Sequence, residues 1–95
     1  MKIVILDFSL VDGRASAHKL LAEKFGFPDY YGKNLDALHD CLGDICEETC
    51  IVLKNADDLT YELGNYGEIM LDILRYSPDE NDYLTVVDES DPDEE

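Results

Sequence analysis

Three short apolar runs rich in β-branched residues, at positions 3–6 (Ile-Val-Ile-Leu), 50–53 (Cys-Ile-Val-Leu) and 83–87 (Tyr-Leu-Thr-Val-Val), lie 43 and 29 residues apart. Intervals of that length hold crossovers rather than hairpins, and crossovers join parallel strands. The runs barely alternate, which suits strands covered on both faces of a parallel sheet. Helical patterns fill the intervals. Ala17, Leu20, Leu21 and Phe25 recur at helical spacing and stop at Gly26 and Pro28, the usual C-terminal punctuation. Leu35, Leu38, Leu42 and Ile45 share one face of a second helix, with Asn34 available as its N-cap. Asp57 and Asp58 open a short helix closing at Gly64, and Ile69, Met70, Ile73 and Leu74 form an apolar stripe expected to end before Pro78. The predicted fold is therefore α/β in the order βααβααβ: a small three-stranded parallel sheet flanked by helices, with right-handed crossovers.

Ninety-five residues make one domain. Seven Lys or Arg stand against 23 Asp or Glu, a net charge of −16. Such a polyanion repels nucleic-acid phosphate and anionic lipid, so direct binding to either is excluded and a macromolecular partner should be basic. The charge is uneven: residues 79–95 hold nine acids and no base, leaving the preceding body at −7. Residues 1–87 read as the folded domain and residues 88–95, which lack any apolar side chain, as an acidic and disordered tail.

Cys41, Cys46 and Cys50 are odd in number and lie within ten residues, which is not a disulfide framework. Cys46 and Cys50, four apart, can share a helix face, but two thiols lack the further ligands of a zinc site, and His18 and His39 sit at no ligand spacing. No metal or cofactor is expected. The apolar start, four residues before Asp7, is too short for a signal peptide, and no run approaches a membrane span. These features suggest a soluble cytoplasmic protein.

The most informative segment is Pro28-Asp29-Tyr30-Tyr31-Gly32-Lys33-Asn34-Leu35-Asp36-Ala37-Leu38-His39-Asp40-Cys41-Leu42. Burying its leucines forces Asp36, His39 and Asp40 together onto the solvent side at i, i+3 and i+4. Two like charges at that spacing cost the helix roughly 0.2–0.5 kcal/mol, part of which Asp36 recovers at the positive end of the helix dipole. Tyr30 and Tyr31 have no apolar period that buries both rings, so at least one should stand beside the acidic face as a binding anchor. On composition alone an ordinary solvated face is the favoured reading, since most charged helix faces are only that.

The run Tyr30-Tyr31-Gly32-x-Asn34-Leu35-Asp36-Ala37-Leu38-x-Asp40-Cys41-Leu42 resembles the signature of the barstar family, intracellular inhibitors of the ribonuclease barnase. A weaker likeness covers most of residues 1–87. The resemblance implies a three-stranded parallel sheet with flanking helices and inhibition by plugging: an acidic helix and the loop before it enter a nuclease active site. Asp40 matches the family aspartate that takes the place of the RNA phosphate, Asp36 a second carboxylate, and Tyr30 an aromatic packed on the catalytic histidine. Tyr31, Gly32, Asn34, Leu35 and Gly43 join them as expected contacts. His39 and Tyr76 do so as departures, standing where the family has a tryptophan and a glutamate, and Ile45 replaces another tryptophan. A carboxylate is the side-chain anion best able to accept bidentate bonds from cations built to hold a phosphodiester. The implied partner is a basic, barnase-like ribonuclease or related toxin, met by a protein that is monomeric when free. The alternative is an immunity or adaptor protein using the same face against a basic partner that is not a ribonuclease. Catalysis by the Asp36 and Asp40 carboxylates is disfavoured because no acid–base partner separates their pKa values. The phosphotransferase reading of Asp7 lacks a glycine-rich loop, and residues 79–82 lack a calcium loop.

Overall fold

In the computed structural model, which describes residues 1–89, the chain runs β1 (Lys2–Asp7), a 3-10 turn (Phe8–Leu10), α1 (Arg14–Phe25), α2 (Leu35–Gly43), β2 (Thr49–Lys54), α3 (Ala56–Leu63), α4 (Asn65–Glu80) and β3 (Leu84–Asp88). The sheet is parallel throughout in the order β1-β2-β3, so the expected βααβααβ architecture is the one observed. Register sets Ile3 beside Cys50 and Cys50 beside Thr85.

Coverage of the sheet differs from expectation. Val4, Leu6, Ile51, Leu53 and Leu84 are buried, whereas Ile3 and Ile5 are 62% and 46% exposed. The strands thus have one buried and one open face despite their unalternating sequences. The reason is topological. When strands follow in sequential order and every crossover has the same hand, the connecting helices fall on one side of the sheet.

The core joins that face to Ala17, Leu21 and Phe25 of α1, Leu38 and Leu42 of α2, Leu59 of α3, and Met70, Leu71 and Leu74 of α4. Leu71 thus replaces Ile69, which is 40% exposed, in the buried stripe of α4. Gly67 lets α3 and α4 approach, since a Cβ there would lie 2.6 Å from the Leu59 carbonyl oxygen.

Two boundaries depart from the sequence reading for identifiable reasons. α4 does not stop before Pro78 but continues to Glu80. Proline removes the amide that would bond the carbonyl four residues earlier, and that carbonyl, Leu74, instead accepts from the Ser77 hydroxyl at 2.7 Å. α2 ends at Gly43, leaving Ile45 and Cys46 in the connection and placing Cys50 in β2, so Cys46 and Cys50 share no helix face. At the other end of the chain, β3 includes Asp88, whose carboxylate meets the Arg75 guanidinium at 2.7 Å. Glu89 follows, its amide donating to the Leu53 carbonyl at 2.8 Å, and the expected tail from Ser90 onward lies outside the described residues.

Candidate protein-docking site

The acidic helix is held at both ends. At its start Asn34 is extended, at φ −139° and ψ 173°, and its Oδ1 accepts from the Ala37 amide at 2.7 Å, the expected N-cap. Its Nδ2 donates back to the Gly32 carbonyl, and a Cβ on Gly32 would come within 3.2 Å of that amide group. At the far end, Asn81 Nδ2 donates to the carbonyls of Leu42 and Ile45 at 2.9 and 2.8 Å. The first bond adds a donor to a carbonyl in the last turn of α2, the second holds the connection just beyond it, and together they fix α2 to the end of α4.

With Leu38 and Leu42 buried and Leu35 half-buried, Asp36, His39 and Asp40 face solvent. Among the described residues neither the Asp36 nor the Asp40 carboxylate has an ion-pair or hydrogen-bond partner. His39 Nε2 meets Glu80 Oε1 of α4 at 2.7 Å. Tyr76, one turn before Glu80 and 62% exposed, therefore adjoins the same surface. The space beneath His39, walled by Leu42, Ile73, Ser77 and Asn81, is only about 10 Å³, room for one water at most. That space is too small for a substrate.

The two tyrosines part company. Tyr30 is 87% exposed beside the acidic helix, whereas Tyr31 is 6% exposed and turns inward against Phe27 and His18. Tyr31 is thus a support beneath the loop instead of part of its exposed surface. Tyr30, Gly32, Asn34, Asp36, His39, Asp40, Gly43 and Tyr76 are all exposed. Glu80 is the member that sequence reasoning missed. Its link to His39 spans 41 positions, and no local pattern signals it.

Beside this face, burial and then the Asp44 and Asp40 carboxylates push the Cys41 thiol up, keeping it protonated and weakly reactive. All three cysteines are free. Among the described residues, no group of three or more His, Cys, Asp or Glu side chains could hold a metal ion, and no helix is long and apolar enough to cross a membrane.

A family model described as "Barstar (barnase inhibitor)" matches residues 1–90. The chain is also 37% identical over 81 residues to the Bacillus subtilis (strain 168) protein named "Putative ribonuclease inhibitor YrdF", covering 84% of this chain and 89% of that one. The match extends over nearly the whole sequence and includes the segment that builds the acidic helix and its capping loop. The chain belongs to the barstar family, whose members are inhibitors and not enzymes.

Proposed function

We propose that the protein is a stoichiometric inhibitor of a basic, barnase-like ribonuclease or related toxin, acting in the cytoplasm as a monomer until it meets its target. α2 and the loop before it enter the nuclease active site, with the Asp40 carboxylate taking the place of an RNA phosphate among the enzyme's cations and Asp36 pairing with further ones. The observation that carries this reading is the pair of unpartnered carboxylates, Asp36 and Asp40, on a helix capped at both ends beside the exposed ring of Tyr30. Such a face has already met the cost of ordering its backbone, which favours tight binding. A body of −7 steers a cationic partner toward it. His39, bonded to Glu80, and the exposed Tyr76 make the rim that selects one nuclease over another.

The test is a titration of the cognate ribonuclease, taken from the same organism, against the purified protein. Activity should fall linearly to zero at one equivalent, and the protein alone should turn over no phosphodiester, phosphomonoester or ester. Activity persisting at several-fold excess against every basic nuclease of that organism, together with capture of a basic protein that is no nuclease, would favour the immunity or adaptor reading.

A further inference from the structure

His18 is 1% exposed, and each of its ring nitrogens faces a tyrosine hydroxyl: Nδ1 lies 2.7 Å from Tyr31 Oη and Nε2 lies 2.7 Å from Tyr66 Oη. The three side chains come from α1, from the loop that carries Tyr30, and from α4. Tyr31 is buried, and His18 is the only hydrogen-bond partner of its hydroxyl among the described residues. A buried hydroxyl donates its proton wherever an acceptor is in reach, so Tyr31 O–H donates to Nδ1. Nε2 then carries the ring proton and donates to Tyr66, which is half-buried and can pass its own proton to water.

We infer that His18 is a positioning residue for the docking loop, holding Tyr31 through a neutral imidazole so that a single protonation of His18 releases the segment presenting Tyr30 and the Asn34 cap. The inference rests on the reading of that segment as part of the docking face.

A proton on Nδ1 reverses the bond. Both ring nitrogens become donors, the Tyr31 oxygen has to accept, and the buried tyrosine O–H loses the one hydrogen-bond acceptor it has among the described residues. The surroundings add to the cost. Arg14 stands over the Tyr66 ring at 4.0 Å, Lys33 lies close enough to repel a cationic imidazole, and the group from α2 that bears on Tyr31 is the protonated Cys41 thiol. Among the described residues no carboxylate is bonded to the ring. Burial and Lys33 accordingly hold His18 below the usual histidine range.

The experiment is amide exchange of the free protein followed by NMR from about pH 7.5 to about pH 5.5, with the His18 ring titrated in the same samples. The Tyr31 amide, which donates to the Pro28 carbonyl, should lose protection by about fivefold or more in step with the ring, while Ile51 in the central strand keeps its protection. His18→Asn, which offers Tyr31 an acceptor that takes no proton, should leave Tyr31 protection flat with pH. Protection that stays flat in the wild type, or a loss shared equally by Ile51, overturns the inference without need of the variant. Dissociation from the cognate ribonuclease should accelerate with the same midpoint, in the wild type and in His39→Gln alike. If loop protection follows His18 but no ribonuclease binds, the docking reading fails and the positioning role stands. If a ribonuclease binds but loop protection ignores His18, the reverse holds.

Discussion

The Ser77 hydroxyl donates to the Leu74 carbonyl at 2.7 Å, occupying the acceptor that Pro78 leaves without an amide. This bond lets α4 run past its proline to Glu80. The added turn carries Glu80 to His39 and leads into Asn81, which closes the end of α2. The candidate docking face thus depends on a helix end that proline would ordinarily have cut short.

Ser77→Ala should therefore cost about 1–3 kcal/mol of stability, because a buried carbonyl loses its donor. Urea unfolding measures it. The amides of α2's last turn should also exchange faster in the variant, since Asn81 is then less firmly placed.

Gly67→Ala should cost about 1–3 kcal/mol even though alanine is the better helix former. The added methyl meets a backbone carbonyl at 2.6 Å, which can yield only if α3 and α4 separate. A thermal melt at or above that of the wild type would show that the two helices have slack.

Stability should fall as pH drops below about 6.5, the ordinary histidine value. Burial, and then Lys33, lower the pKa of His18 in the folded state, so below that value the unfolded chain binds more protons than the native one. The stabilisation is complete above the unfolded pKa and is lost through the interval down to the folded one, at a slope of at most about 1.4 kcal/mol per pH unit. Urea midpoints at several pH values, compared with those of His18→Gln, isolate this contribution. The variant should show a shallower dependence.

What could be read from the residues divides along physical lines. The three strands, the Asn34 cap and the αL stop at Gly26 were legible because each depends on a handful of adjacent residues. The continuation of α4 was not, since the rule that proline ends helices has no term for a serine one position earlier. The open sheet face escaped because β-branched runs look alike whether one side or both are covered, and only strand order tells them apart. The acidic cluster of Asp36, His39 and Asp40 followed from helical spacing. The division of Tyr30 from Tyr31 did not, because it is settled by His18, 13 positions from Tyr31.

In the proposed mode of inhibition Asp40 replaces a substrate phosphate, and the dissociation rate of the complex tests this most directly. If the Asp40 carboxylate sits among desolvated Arg and Lys groups, Asp40→Ala strands those cations and should cost about 2–5 kcal/mol or more, mostly as faster dissociation. Folding should barely change, because the substitution removes a like charge four residues from Asp36 and introduces a strong helix former. Glu23 of α1, exposed and outside the docking face, provides the control, with an expected effect of about 0.5 kcal/mol or less for Glu23→Ala. A large loss confined to Asp40→Ala is the predicted result. Equal and small losses in the two variants would rule out phosphate replacement by Asp40 and leave the acidic helix as a solvated surface.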